Sequence, residues 1–249
     1  MSTAATRDVS DAHWRNYAVR GAIVGVALVG LAVFVLIAAH PIALLVDAHL
    51  RGVAQVEIAR VQLGVGVVAL AVWGAAFRFA TAIPAVGARF RAGLSDRRSV
   101  FRWIEYSQVS SIAVFLVAQL NGIAELGTLV ALYAITAAST VFLGLDERSN
   151  SKVPFVFGAA VGIVPWGIVA FYQLGASIAS RADFWGAVPL VVRVVTIGEL
   201  ACAAAAWAIA YRASRAVGLW RSPLVTERAF ALIAAIMTLL LALVTLVVS

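Results

Sequence analysis

Read for runs of apolar positions, the chain divides into seven stretches of about 20 residues, at roughly 18–40, 61–83, 101–123, 126–145, 153–174, 187–211 and 229–248. A run of this length crosses a hydrocarbon core of about 30 Å as an α-helix. Charged positions gather between the stretches, and most connections are short, which favours antiparallel packing of consecutive helices. The interval 41–60, with Pro41, Asp47, Arg51 and Glu57, is long enough to hold local structure of its own. No low-complexity linker or solenoid-type repeat interrupts the series. The pattern predicts an all-α integral membrane bundle of seven transmembrane helices, one domain over residues 1–249.

Composition sharpens this picture. Hydrophobic residues make up 63% of the 249 positions and charged residues 12%, too few to cover the surface of a soluble domain. A net charge of +7 would raise the question of nucleic acid in a soluble protein; in a membrane protein it reports cytoplasmic loops, and no nucleic-acid partner is expected. Placing the basic residues supports that view. Fourteen Lys and Arg fall on the N-terminal side, including Arg89, Arg91, Arg97, Arg98 and Arg102, then Arg212, Arg215, Arg221 and Arg228. Four fall opposite (Arg51, Arg60, Arg181 and Arg193), and Arg78 lies within the second span. The positive-inside rule then predicts a multi-pass protein of the cell membrane with its N-terminus inside and its C-terminus outside. Asp8, Asp11 and the length of the first apolar run argue against a cleaved signal peptide. The single cysteine, Cys202, excludes an intrachain disulfide and suits a small apolar filler.

Three segments carry a resemblance. Arg102-Trp103-Ile104-Glu105-Tyr106-Ser107 opens the third span; Phe157-Gly158 through Gly162-Ile163-Val164-Pro165-Trp166 lies in the fifth; Gly218-Leu219-Trp220-Arg221, then Glu227-Arg228, leads into the seventh. In order, spacing and span the chain resembles the heliorhodopsins, rhodopsin-like seven-helix membrane proteins with the same inverted orientation. The resemblance implies that Glu105 holds the position of the counterion to the protonated retinal Schiff base. It places the retinal-bearing lysine at Thr238, or at Met237 if the register slips by one. Neither side chain forms an imine, and the only lysine, Lys152, lies between the fourth and fifth spans. Covalent retinal is therefore excluded on chemical grounds, which leaves retinal or another polyene only if held non-covalently. The resemblance also implies a homodimer through surfaces that include the fifth span.

The polar residues within spans are the candidate chemistry, because an unpartnered charge in a bilayer is costly. Glu105 lies about a turn and a half into the third span, and Gln108 and Ser111 follow at intervals of three, suggesting one polar stripe toward the interior. Arg78, six residues before Pro84, sits at similar depth in the antiparallel second span, near where the family places a histidine of the Schiff-base cluster. Two positions are open to it: paired with Glu105 as a replacement cation, or snorkelling to the headgroups. Glu199, midway in the sixth span, is either a protonated core carboxyl or a relay site, while Arg193 nearer the end is expected to snorkel. Trp166, Phe171, Tyr172 and Trp207 either line a vestigial pocket or simply pack. Trp103, Trp185 and Trp220 suit an interfacial belt. Gly158 and Gly162 form a small-residue pair that serves either a dimer contact or close packing within the chain.

Other chemistry is not encoded. There is no phosphate-binding loop, Cys/His cluster or nucleophile–His–acid set, and His13, His40 and His49 lie at or beyond span ends. The third span carries one glutamate and no second carboxyl, which disfavours light-driven pumping. The expectation is a non-enzymatic sensory, regulatory or binding component of the membrane. A non-covalent retinal or polyene photoreceptor, and a proton- or small-solute-conducting protein using Glu199 and the Glu105 stripe, are the alternatives. The basic stretch Arg89–Arg102 either contacts a cytoplasmic protein partner or anionic lipid, or reflects ordinary topology.

Overall fold

In the computed structural model, described over residues 11–48, 56–96, 98–149, 151–179 and 188–248, the apolar runs become long helices that bury one face against each other. They are α1 (Asp11–Ala38), α2 (Leu63–Ala82), α4 (Val100–Leu120), α5 (Leu126–Asp146), α6 (Val153–Ala179), α7 (Leu190–Ser214) and α8 (Pro223–Val248). A shorter helix, α3 (Pro84–Ser95), follows α2, and a 3-10 turn at Gly218–Arg221 precedes α8. Arg7, Asp8, Arg51, Arg97, Arg181, Trp185 and His49 lie outside the described residues, as do the side chains of Asp11 and His13. Six of the long helices are apolar enough to cross a membrane by length and composition; α4, which carries Arg102 and Glu105, is the exception. The chain is a multi-pass membrane protein built as a helical bundle.

Consecutive helices pack side by side, α1 on α2, α4 on α5, α5 on α6 and α7 on α8, while α8 also contacts α2 and α4 and so closes the bundle. The shared core runs through Leu70, Val117, Leu132, Ala206 and Leu241, all fully buried. Between α1 and α2 the chain makes an antiparallel hairpin of β1 (Ala43–Ala48) and β2 (Val56–Gln62), with a register shift at Val46/Asp47. The Asp47 amide donates to the Ala124 carbonyl at 2.9 Å and Gln119 Nε2 to the Leu45 carbonyl at 3.3 Å, tying the hairpin to the α4–α5 turn.

The three largest differences from the sequence pattern each have a local reason. Helix α1 starts at Asp11 rather than near 18, because Trp14 and Tyr17 are buried against Phe90 of α3, ring centroids 5.6 and 6.0 Å apart. Residues 84–95 are helical rather than loop. The residue before a proline is driven out of the helical region, so Ile83 is extended and α2 ends, while Pro84 at the first helical position starts α3. Phe90 and Leu94 of α3 turn inward and Arg89 outward, while the half-buried Arg91 lies with its guanidinium carbon 5.5 Å from the Trp14 ring centroid. Helix α8 starts at Pro223 rather than near 229, because Glu227 is buried within the bundle.

Candidate functional site

Two clusters of paired charges occupy the end of the bundle that carries α3, here called the basic end. The first joins α1, α2 and α4. Of the two positions open to Arg78, the structure has it inward: Nη2 donates to Glu105 Oε2, and Nη1 reaches the Tyr17 hydroxyl at 3.5 Å. Arg78, Glu105 and Tyr17 are each less than a tenth exposed. A charge-assisted contact of this kind is the condition under which two ions persist away from water.

The second cluster was not legible as a cluster in the sequence. Arg102, in the first turn of α4, donates through Nη1 to Glu227 of α8 and through Nη2 to Glu147 beyond α5. Trp103 Nε1 donates to the other Glu147 oxygen at 2.8 Å, and the guanidinium carbon of Arg102 lies 5.0 and 5.2 Å from the ring centroids of Trp103 and Phe230. Trp103 is thus part of a polar clamp rather than only an interfacial ring. Beside it, Arg215 Nη1 lies 3.6 Å from Asp146. The signal in the sequence was that Arg102 and Glu227 both stand in the quoted motifs; their separation hid the pairing.

The expected polar stripe of α4 divides. Every third residue of an α-helix steps back by about 60°, so Gln108 turns away from Glu105. It lines an outward groove between α4 and α5, where its Oε1 accepts from the Tyr133 hydroxyl. Ser111 is fully buried, its hydroxyl without a hydrogen-bond partner among the described residues.

Trp166 and Trp207 do come together, with Tyr106, Ser110 and Met237, around a cavity of about 20 Å³. Phe171 and Tyr172 do not join them; both lie on the outer face of α6, 75% and 42% exposed. Thr238 is buried next to Met237, and its hydroxyl is turned back to the Ala234 carbonyl at 2.9 Å. The glycine pair faces inward: Gly158 packs on Phe142 and Ser139, and a Cβ at Gly162 would overlap Ser139 and Trp207.

Along α7, Arg193 does not snorkel. It is 3% exposed and donates through Nε to the Val188 carbonyl at 3.2 Å. Glu199 is fully buried, and neither carboxyl oxygen meets a hydrogen-bond donor among the described residues. Cys202, a turn further on, is a buried free thiol.

Long apolar helices enclosing ion pairs at one end define a rhodopsin-like membrane bundle. The heliorhodopsin family model matches residues 14–248, and the chain belongs to that family. No curated protein matches it.

The retinal that the family name implies can be tested against these residues. Thr238 and Met237 supply no amine, and Arg78 already engages the carboxylate that would balance an iminium charge. The cavity between Trp166 and Trp207, about 20 Å³, admits a water; small-molecule sites begin at about 300 Å³. That cavity as it stands has no room for a polyene.

Proposed function

We propose that this chain is a retinal-free heliorhodopsin serving as a non-enzymatic sensory, regulatory or binding component of the cell membrane. In it, Arg78 takes the place of the protonated Schiff base as the cation facing Glu105. The observation that carries the proposal is the buried Arg78–Glu105 contact, and the resemblance, which puts the lysine position at Thr238, supports it. The chain crosses the membrane seven times with its N-terminus inside. The charges that lower the apolarity of α4 are each offset by a partner outside it, Arg102 by Glu147 and Glu227 and Glu105 by Arg78, and 21 residues of helix span about 32 Å. The fourteen-to-four distribution of basic residues supports the orientation.

A homodimer belongs to the same proposal on family grounds. The Gly158–Gly162 face is taken up by packing within the chain, so the outer face of α6, with Phe157 and Ile163, is the surface offered to a second copy. A cytoplasmic protein partner would meet the exposed Arg89 of α3 and Arg98 beyond it.

The test is a visible spectrum of the protein purified with all-trans retinal, beside Thr238→Lys treated alike. The parent is expected to be colourless. Colour in the parent would overturn the retinal-free assignment, and colour in the variant alone would isolate the missing amine as the defect.

A second reading, conduction of protons or small solutes, is favoured by one observation: the carboxyl of Glu199 in the middle of α7, without a hydrogen-bond partner among the described residues. Flux into liposomes that disappears in Glu199→Gln would support it; flux equal in both would remove it.

A further inference from the structure

The outer edge between α1 and α8 holds a groove of about 160 Å³ that plays no part in the clusters described above except at its inner end. Its walls are apolar and small, with Gly21 and Val24 from α1 and Ala231 and Ala235 from α8. At the basic end stand two guanidinium groups, Arg20 and Arg228, both exposed and neither paired among the described residues. Arg78 and Tyr17 form the inner end. Elsewhere at the basic end the deeply buried arginines have carboxylate partners: Arg78 has Glu105, and Arg102 has Glu147 and Glu227. Arg20 and Arg228 are two cations on neighbouring helices, beside an apolar channel that runs toward the membrane centre, with no carboxylate of the described residues lining the groove between them.

That combination selects an amphiphile. A free anion would satisfy the guanidiniums and leave the channel empty, while a neutral lipid would fill the channel and leave two positive charges side by side. Basic pockets between helices near a membrane surface recognise anionic headgroups, and the groove adds a seat for a chain. We propose that the α1–α8 groove is a binding site for an anionic phospholipid, the phosphate held between Arg20 and Arg228 and one acyl chain lying over Gly21 and Ala231. The lipid then rests against the outer side of Arg78, which places membrane composition one side chain away from Glu105. The proposal uses only the surface of α1 and α8 and stands whether or not the chain binds retinal.

The test measures ligand-induced shifts of the thermal midpoint of the full chain in neutral detergent. Dioctanoyl phosphatidylglycerol is titrated beside dioctanoyl phosphatidylcholine and chain-free glycerol phosphate. The parent is expected to respond to phosphatidylglycerol alone. Arg20→Gln with Arg228→Gln should weaken that response by about thirtyfold in midpoint concentration, the effect of removing two surface guanidiniums. Arg89→Gln with Arg212→Gln removes the same charge from the same end and should leave it unchanged. Gly21→Leu keeps both cations and fills the channel; a Cβ at Gly21 meets nothing within 4 Å, so the fold tolerates it. It should abolish the response. Equal losses in the two arginine pairs would reduce the effect to general surface charge and overturn the site. A parent response to glycerol phosphate as strong as to phosphatidylglycerol would make it a free-phosphate site and overturn the lipid, as would full binding by Gly21→Leu.

Discussion

At the scale of single residues, the basic end depends on charges that have no water to fall back on. Arg78→Ala leaves Glu105 buried beside Tyr17 with its guanidinium gone, and should cost about 3–5 kcal/mol of stability. The double change Arg78→Ala with Glu105→Gln should recover most of that loss, measured as thermal midpoints in one detergent. A single variant as stable as the double would show that the two side chains do not act as a pair. Arg102→Ala strands two carboxylates, Glu147 and Glu227, and should be at least as damaging as Arg78→Ala, with Glu227→Gln milder than either.

How much of this could be read beforehand differs by residue. Arg78 and Glu105 were legible because both interrupt apolar runs at similar depth in antiparallel spans, near the point where the family places a histidine; depth left pairing and snorkelling both open. Arg102 and Glu227 each lie near the start of a run, where a charge ordinarily marks the interface. Nothing in their spacing says that the starts of α4 and α8 meet beside Phe230. Arg193 misled for a related reason. An arginine near a helix end reads as snorkelling, yet here its own helix start offers the Val188 carbonyl, and the side chain stays inside.

At the scale of elements, hydrophobic periodicity located the long helices to within a turn or two but missed α3. Four arginines between Pro84 and Ser99 made that stretch look like loop, although Pro84 is a helix-start signal and Phe90 and Leu94 mark one buried face. Phe90→Ala removes the ring that Trp14, Tyr17 and Phe101 pack on; the expected loss is about 3 kcal/mol. It should release Trp14 to solvent, seen as a red shift in tryptophan emission. Gly162→Ala tests the inward glycine face. Its Cβ forces Ser139 or Trp207 to move, at a cost of about 1–3 kcal/mol. A variant as stable as the parent but shifted from dimer to monomer in crosslinking would return the glycines to the dimer contact.

For the whole molecule, the orientation is open to direct measurement. In a Cys202→Ala background, cysteine at Arg60 in β2 should react with an impermeant maleimide on intact cells. Cysteine at Arg98, before α4, should react only after the membrane is opened. The reverse pattern would turn the bundle over. Sequence settled the membrane class at this scale because the apolar runs are long, whereas the closing of the ring by α8 depends on side-chain fit that no run length encodes.

The composition of α4 bears on how the protein is made. Among the long helices it alone falls short of the apolarity of a span, and each of its charges, Arg102 and Glu105, adds a cost on leaving the translocon that reaches about 2.5–3.5 kcal/mol at a span's centre and is less toward its end. Arg78 emerges earlier in synthesis and is waiting in α2 when Glu105 arrives, whereas the partners of Arg102 are made only with Glu147 and Glu227. Insertion of α4 is therefore a cooperative event that looks back to α2 for one charge and stays incomplete until α8 arrives for the other. Glycosylation mapping of truncated nascent chains would detect that dependence, with α4 entering poorly alone, better behind α2, and worse again when α2 carries Arg78→Ala.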